Sequence, residues 1–167
     1  MVEILITGGT IAKTYDAISG GFVFDKDHLT KMISQAHITK QLSSKLLFLK
    51  DSLDMDDCDR AIIKEEILSS TSKNILVLHG TDTMVKSAKY IGEVGDKRVV
   101  FTGAMIPYAL KNSDALFNFG FALGVVERLE SGVYIAMNAK VFKRDRVQKD
   151  RGEGVFIESR CQFAADE

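Results

Sequence analysis

The sequence predicts an α/β fold: a three-layer, doubly wound, mostly parallel sheet of the flavodoxin-like or Rossmann-like kind, forming a single domain. Short runs rich in Ile, Val and Leu recur along the chain with little polar alternation, which is typical of strands buried on both faces of a parallel sheet. Segments with helical spacing of apolar residues separate these runs, so that strands and helices alternate. The length of 167 residues also fits one domain.

The apolar runs define five predicted strands. They are too short for membrane spans and each leaves room for a helix before the next run. The five are Val2–Ile6, Leu46–Leu49, Ile75–Leu78, Val99–Phe101 and Val133–Met137. A further short strand is predicted near the end of the chain, at Val155–Ile157.

Four helices are predicted between the strands, at Asp27–Ala36, Asp56–Ser69, Thr83–Gly92 and Asn112–Leu129. In the first, Leu29, Met32 and Ile33 recur at helical spacing. The second begins with acidic residues, which suit the positive end of the helix dipole. The last is apolar on several faces, and its glycines Gly120 and Gly124 stand one turn apart, so we expect them to serve close packing.

Charge and cysteine content exclude several classes of protein. Lys and Arg number 22 and Asp and Glu number 23, a net charge of −1, so we expect neither nucleic acid nor an acidic membrane as a partner. The two cysteines, Cys58 and Cys161, form no CxxC pair and indicate free thiols in a reducing compartment. The N-terminus lacks a basic region and a long apolar run, so the expected location is cytoplasmic.

In a doubly wound sheet, ligands bind at the carboxyl ends of the strands, where loops lead into helices. Five loops follow the predicted strands, and the candidate functional residues are expected in them. They are Thr7–Thr10, Lys50–Met55, His79–Thr83, Thr102–Ser113 and Asn138–Lys149.

Two of these loops carry a threonine after a glycine. Thr10 follows Gly8 and Gly9, and Thr81 follows Gly80 with Asp82 beside it. A tight turn with a capping residue is the alternative at both places. A dinucleotide site is disfavoured, because the glycine pattern is incomplete. Two hydroxyls that face one crevice suit acyl transfer, provided that a base activates one of them.

The sequence leaves open whether a histidine or a lysine is the base that activates the threonine hydroxyl. His79 ends an apolar run and is expected to be structural, while a partly desolvated lysine within residues 143–149 is the alternative, although most of that charged run is expected to be solvated. Ser52 offers another hydroxyl, and Asp54 or Asp56 is expected to cap the helix that follows. No metal-ligand spacing is present, so we expect no metal and no other cofactor.

Together the motifs resemble those of the bacterial-type L-asparaginase/glutaminase family. The resemblance rests on segments that occur in order over about residues 4–149, and it also includes Lys149. The segments are Ile6-Thr7-Gly8-Gly9-Thr10-Ile11-Ala12, His79-Gly80-Thr81-Asp82-Thr83-Met84, Thr102-Gly103-Ala104-Met105 and Ala136-Met137-Asn138.

The resemblance implies that the chain hydrolyses the side-chain amide of L-asparagine to aspartate and ammonia. It implies Thr10 as nucleophile, activated by Tyr15, and a second catalytic group of Thr81, Asp82 and Lys149. Ser52 would bind the substrate α-carboxylate and Asp82 the α-amino group. Gly9, Asp51, Thr81 and Ala104 are the other implied substrate-binding residues.

Two departures from the family pattern matter. Leu53 stands where the family usually has Gln after the serine, which removes a polar contact to the substrate. The chain also has no residues for the family's second, C-terminal domain, so it resembles a short single-domain form. In that form the missing contacts come from the chain's own tail, where Glu153 and Glu158 are the candidate carboxylates, from a symmetry mate, or from neither. We expect a homo-oligomer, a dimer or tetramer.

Three functional alternatives stay open at this point. One is an amidase for glutamine or another small amide. Another is a non-catalytic amino-acid-binding or regulatory domain, which would keep the pocket but would not need Lys149. A flavodoxin-like nucleotide binder is the third, and the incomplete phosphate loop disfavours it.

Overall fold

The computed structural model describes residues 1–159 and contains a six-stranded central sheet with helices on both faces. Spatially the strands follow the order β4-β1-β5-β6-β7-β8, and all adjacent pairs are parallel except β7 and β8. The bounds are β1 Val2–Gly8, β4 Leu42–Lys50, β5 Asn74–Leu78, β6 Arg98–Thr102, β7 Gly132–Met137 and β8 Lys140–Lys143. The five parallel strands therefore have the flavodoxin-like order, with the second strand outside the first, and the predicted fold class is confirmed.

In the described part of the chain, four α-helices cover the sheet: α1 His28–Gln35, α2 Asp57–Ser69, α3 Met84–Ile91 and α4 Ala115–Val125. Helices α1 and α4 pack on one face, where Ile4 and Ile6 of β1 point. Helices α2 and α3 pack on the other, where Leu5 points. Side chains of a strand alternate between faces, so each parallel strand feeds both layers of the core, as its continuous apolar run requires.

Helix boundaries follow their capping residues. Asp56 caps α2 and forms a capping box with Asp59, in which each side chain accepts from the other residue's backbone N–H. The predicted helix Asn112–Leu129 is shorter in the structure, because Asn112 has a left-handed φ of 60° and a 3₁₀ turn at Val126–Arg128 follows α4. Gly120 and Gly124 do not serve close packing within residues 1–159: both are exposed, and no atom of that part of the chain lies within 4 Å of a Cβ added there.

Short antiparallel strands form in segments where the sequence predicts none. Strands β2 (Lys13–Asp16) and β3 (Gly21–Phe24) pair with each other between the first predicted loop and the first predicted helix. The predicted loop Asn138–Lys149 contains β8 and also β9 (Val147–Asp150), which pairs with β10 (Val155–Glu158). The strand predicted at Val155–Ile157 is thus confirmed, with β9 as its partner.

The structure describes one of the two cysteines, Cys58. Cys58 is exposed and has a free thiol. Cys161 lies outside the described residues. Among the helices of residues 1–159, each is too short or too polar to cross a membrane.

Candidate functional site

The carboxyl ends of β1, β4, β5 and β6 converge on one point, and glycines permit the close approach of their loops. The backbone N–H of Gly9 donates to the Lys50 carbonyl at 2.9 Å. Gly9 has a φ of 77°, and a Cβ at this position would overlap the backbone of Gly80. A Cβ at Gly103 would likewise overlap the carbonyl oxygen of His79. The loops that the sequence singles out therefore meet backbone against backbone.

Lys149 contacts both Thr81 and Asp82 of the loop after β5. Its Nζ lies 2.8 Å from Thr81 Oγ1 and 2.8 Å from Asp82 Oδ1. Thr81 is buried, and only 10% of the Lys149 side chain is exposed, against 36% for Asp82. Hydrogen bonds to a charged donor are roughly twice as strong as neutral ones, and they strengthen as water is excluded. The arrangement presents a polarised hydroxyl beside a carboxylate at the edge of the crevice.

Lys149 reaches this position because its hairpin is tied to the end of β7. In the β9–β10 pair, Lys149 lies opposite Phe156, whose backbone N–H donates to Asn138 Oδ1 at 3.0 Å. Asn138 has a left-handed φ of 54°, and its own N–H donates to Asn118 Oδ1 at 3.2 Å. The two asparagines thus link α4, the turn after β7 and the hairpin that carries Lys149.

The same Asn118 also organises the loop after β6. It is fully buried, and its Nδ2 donates to the Gly103 carbonyl at 3.1 Å and to Asp114 Oδ2 at 2.8 Å. The Asp114 carboxylate in turn accepts from the backbone N–H groups of Met105 and Ile106, each at 3.0 Å. Ala104, between these anchors, is 1% exposed. The segment that includes Ala104 is therefore held from both sides by one buried network.

Ser52 lies at the floor of the crevice, directly under Gly80. It is 1% exposed, and its Oγ accepts weakly from the Thr83 N–H at 3.4 Å, while Thr83 Oγ1 donates to the Ser52 carbonyl at 2.8 Å. A Cβ at Gly80 would lie only 2.6 Å from Ser52 Oγ. The glycine is thus required to leave the Ser52 hydroxyl in contact with the loop of Thr81.

Asp51 is engaged by the chain itself. It forms an ion pair with Lys13 Nζ at 2.5 Å and accepts from the Leu53 N–H at 3.1 Å. The hydrogen bond from Lys13 holds the pKa of the Asp51 carboxyl below its usual value, against the opposing effect of burial. Lys13 begins β2, so this ion pair ties the β2–β3 hairpin to the loop that carries Ser52.

Thr10 and Tyr15 precede and follow Lys13 in the sequence. Thr10 is half-buried and begins a 3₁₀ turn directly after Gly9. Tyr15 is in β2, 56% exposed, with its ring edge-on to Phe22 at a centroid distance of 6.1 Å. Within residues 1–159 no hydrogen bond joins the Tyr15 hydroxyl to Thr10. The structure therefore brings Thr81, Asp82 and Lys149 into direct contact, whereas the pairing of Thr10 with Tyr15 stays a prediction.

His79 lies behind the site and is fully buried, as the sequence predicts for a structural residue. Its Nδ1 is 2.8 Å from the Gly80 carbonyl, and burial lowers its pKa from 6.5 to about 4. At neutral pH the ring is therefore uncharged, with its Nδ1–H donated to that carbonyl. A residue held in this way supports the backbone at Gly80 and is closed to solvent.

The two tail carboxylates are exposed to solvent, and some residues that support the site were not singled out by the sequence. Glu153 and Glu158 are exposed, and in the described part of the chain neither bonds to a predicted site residue. The sequence alone assigned no supporting role to Lys13 or Asn118, and it placed Asn138 in a family segment without giving it this role. A buried asparagine within an apolar helix is a signal that could have singled out Asn118.

The family model and the L-asparaginase relatives agree on one family. Residues 1–156 match the family model described as "Asparaginase, N-terminal". L-asparaginase from Thermococcus kodakarensis is 26% identical over 162 residues, which covers 91% of this chain and 48% of that protein. A glutamyl-tRNA(Gln) amidotransferase subunit from Pyrococcus horikoshii is 32% identical over 126 residues, covering 70% of this chain and 28% of that protein.

The solved structures agree with the sequence relatives. The thermostable L-asparaginase from Thermococcus kodakarensis superimposes with a TM-score of 0.85 at 25% identity, covering 94% of this chain and 50% of that one. The chain thus spans about half the length of that asparaginase, and a smaller share of the amidotransferase subunit. On the family model and these likenesses, the chain belongs to the asparaginase family and corresponds to its N-terminal domain.

Proposed function

We propose that the chain takes part in hydrolysis of the side-chain amide of L-asparagine, releasing L-aspartate and ammonia, with a threonine as nucleophile. The observation that carries the proposal is the contact of Lys149 with both Thr81 and Asp82, at 2.8 Å each, in a largely desolvated position. A binding site for an amino acid needs the carboxylate of Asp82, but it does not need a buried ammonium on a threonine hydroxyl.

The proposed reaction has two halves. The Thr10 oxygen attacks the amide carbon, its proton passes to the nitrogen by way of Tyr15, and ammonia leaves an acyl-enzyme. Water then attacks the ester, and its proton returns to the Thr10 oxygen as aspartate leaves. Backbone N–H groups at the converging loops are the natural donors to the oxyanion of each tetrahedral intermediate.

Thr81 and Lys149 assist proton movement in this scheme. Because the Thr81 oxygen accepts a hydrogen bond from Lys149, its own proton is left to donate towards the reacting groups. The ammonium also stabilises negative charge that develops on that oxygen, and exclusion of water strengthens this effect. Lys149 therefore acts by polarising Thr81, within the second catalytic group that the resemblance implies.

The charged ends of the amino acid have matching groups in the site. Asp82 uses Oδ1 for Lys149 and is 36% exposed, which leaves its carboxylate accessible to a substrate ammonium. The Ser52 hydroxyl, next to Gly80, is the proposed donor to the substrate carboxylate. Asp51 is neutralised by Lys13, so its proposed contribution is to hold the Ser52 loop.

Release of ammonia from asparagine, measured with the purified full chain, tests the proposal. We expect turnover in the wild type, loss of about 10⁶-fold in kcat for Thr10→Val, which removes the proposed nucleophile, and loss of about 10²- to 10⁴-fold for Thr81→Val. Each substitution removes only the hydroxyl function. Thr30→Val, on the exposed surface of α1, is the matched control and should retain full activity. Full activity in both site variants would refute the assigned roles.

Assays on the same purified protein also test two other functions. The likeness to a glutamyl-tRNA(Gln) amidotransferase subunit favours glutamine as the second amide to assay. Isothermal calorimetry with aspartate addresses the non-catalytic alternative. Binding of aspartate without ammonia release from asparagine, glutamine or another small amide would favour an amino-acid-binding domain.

A further inference from the structure

Arg60 of α2 carries a buried charge that the proposed reaction does not use. Its side chain is 1% exposed and is the largest fully buried side chain of residues 1–159. Its one carboxylate partner in that part of the chain is Asp57, at 3.1 Å, whose own side chain is 65% exposed. A buried guanidinium is costly unless it is paired and hydrogen-bonded, and an apolar side chain of similar size would fill the space without that cost. What Arg60 provides at this position is therefore directed hydrogen bonds.

The Arg60 guanidinium donates in two directions, to the loop that carries Ser52 and to helix α3. Its Nη1 donates to the Met55 carbonyl at 3.2 Å, and Met55 directly follows the 3₁₀ turn Ser52–Asp54. Its Nε donates to Ser87 Oγ, in α3, at 3.2 Å. The planar guanidinium holds its donors at fixed angles, so it sets the position of one acceptor relative to the other. Arg60 thus connects the Ser52 loop to α3.

These two bonds close a ring of hydrogen bonds, here called the Arg60 ring. The Met55 N–H donates to the Ser52 carbonyl at 3.4 Å, and the Thr83 hydroxyl donates to the same carbonyl at 2.8 Å. The Ser87 N–H in turn donates to the Thr83 carbonyl at 2.9 Å. The ring therefore passes through Arg60, Met55, Ser52, Thr83 and Ser87.

The Arg60 ring joins the two residues to which the proposed function gives the charged ends of the substrate. Ser52 belongs to the ring, and Asp82 directly precedes Thr83. The ring thus fixes the separation between the hydroxyl proposed for the substrate carboxylate and the carboxylate proposed for the substrate ammonium. A ligand that must contact both groups at once is sensitive to this separation, because a misplacement of about 1 Å is enough to weaken its hydrogen bonds.

We propose that Arg60 is a positioning residue of the candidate site, which holds Ser52 and Asp82 at the separation that fits the two charged ends of one amino acid. This role rests on the proposed function in one respect, that the ligand is an amino acid, and it does not require turnover. Arg60 does not contact the ligand, because its side chain is closed to solvent. Thr10 and Lys149 lie outside the Arg60 ring, so the reacting groups keep their places when the ring is opened.

Arg60→Met tests this role by separating KM from kcat. Methionine fills much of the space but cannot donate a hydrogen bond. We expect the KM for asparagine and the dissociation constant of aspartate to rise by about tenfold or more, while kcat falls by less than about threefold. Calorimetry with aspartate requires no turnover, so it tests the role independently of ammonia release.

Ser87→Ala opens the same ring from the side of α3. It removes the acceptor of Arg60 Nε and keeps a residue that favours helix, so the variant should fold even where Arg60→Met folds poorly. We expect KM and the dissociation constant of aspartate to rise in this variant too.

Arg98→Met is the matched control. Arg98 also bonds to two segments, through Nε to the Leu129 carbonyl at 2.6 Å and through Nη1 to Asn74 Oδ1 at 3.4 Å. These contacts lie at the amino ends of β5 and β6, opposite the candidate site. Loss of Arg98 should therefore lower the melting temperature and leave KM, kcat and aspartate binding unchanged.

Weaker aspartate binding in Arg60→Met and Ser87→Ala, with wild-type affinity in Arg98→Met, supports the proposal. Wild-type affinity in both ring variants overturns it, and so does an equal loss of affinity in Arg98→Met, which would indicate a general effect of lower stability. Failure of the proposed function is a separate result, in which the wild type binds aspartate but releases no ammonia. A wild type that neither binds aspartate nor releases ammonia overturns both.

Discussion

Lys149 Nζ lies 2.8 Å from Thr81 Oγ1, although the two residues are 68 positions apart in the chain. The contact joins the short β9–β10 hairpin to the loop after β5, a central strand of the sheet. Because the Lys149 side chain is only 10% exposed and Asp82 is its sole ion-pair partner within residues 1–159, the three groups depend on one another. Removal of one leaves the others with unmet hydrogen bonds.

Replacement of Lys149 by methionine should lower kcat by about 10²- to 10⁴-fold. Methionine keeps the apolar stem but removes the ammonium, so Thr81 is no longer polarised. Arginine at this position keeps the charge with different geometry, and we expect it to recover only part of the rate. Ammonia release and thermal unfolding are the measurements.

Lys143→Met is the matched control for this lysine, since Lys143 belongs to the same charged run and is exposed. It should leave both kcat and the melting temperature unchanged. A Lys149→Met variant with the wild-type rate would remove Lys149 from the reaction and leave it a structural role only.

A second prediction concerns the ion pair between Lys13 and Asp51. Asp51→Asn keeps an acceptor for the Leu53 N–H but removes the charge that holds Lys13 at 2.5 Å. We expect faster amide hydrogen exchange throughout the β2–β3 hairpin, with protection of β1 and β5 unchanged, because the hairpin loses its anchor beside the Ser52 loop.

High salt offers an independent check on the same anchor. Both side chains are partly exposed, so salt should screen the ion pair. Amide hydrogen exchange in the wild-type hairpin should then become faster and approach the rate in Asp51→Asn. Equal exchange in the two proteins at low salt would show that backbone pairing of β2 with β3 is sufficient to order the hairpin.

The parallel core could be predicted from the sequence because burial on both faces leaves a strong signal. The run Ile75–Leu78, for example, is entirely apolar, and the structure places all of it in β5 with neighbours on both sides. Strands with one exposed face or one unpaired edge contain more polar residues, so no continuous apolar run marks them in the sequence. Accordingly β4 begins at Leu42, four residues before the predicted strand, in a polar stretch at the sheet edge.

The strands that the sequence did not predict were missed for one physical reason. Strands β2 and β9 are four residues long, with the sequences KTYD and VQKD, and their stability comes from pairing with an adjacent strand and not from an apolar pattern. The candidate site depends on one of these elements, since β9 positions Lys149. Motifs could thus indicate Thr81 and Asp82, but the route by which Asn118 and Asn138 bring Lys149 to them depends on tertiary structure.

A third prediction follows from burial of His79. The pKa of this residue is about 4 in the folded protein against 6.5 as its ordinary value, so between these pH values the unfolded state binds the proton and the folded state does not. Stability should therefore fall as pH decreases from about 6.5 to about 4, by on the order of 3 kcal/mol from this residue alone. Burial lowers the pKa of His28 as well, which adds to the same trend.

Denaturant unfolding at a series of pH values measures this effect. His79→Asn retains an N–H donor for the Gly80 carbonyl but cannot titrate, so its stability should depend less on pH between 6.5 and 4. His37→Asn is the control, because His37 is exposed and has a left-handed φ of 50° that asparagine tolerates. An identical pH dependence in wild type and His79→Asn would contradict the assignment.

The last prediction concerns Asn138, whose side chain ties the hairpin of Lys149 to the end of β7. Asn138→Gly retains the backbone freedom that its φ of 54° requires, but it removes the acceptor for the Phe156 N–H. We expect faster exchange of that amide, a loss of stability of about 1 kcal/mol, and a lower kcat as Lys149 loses its fixed place beside Thr81. Ala139→Gly is the matched control, because Ala139 also has a left-handed φ, of 61°. Glycine relieves the strain at this position, so the variant should have a higher melting temperature and an unchanged kcat. A change in kcat without faster Phe156 exchange would mean that Asn138 acts on the site by another route, whereas faster exchange with kcat unchanged would show that Lys149 is held by its contacts with Thr81 and Asp82 alone.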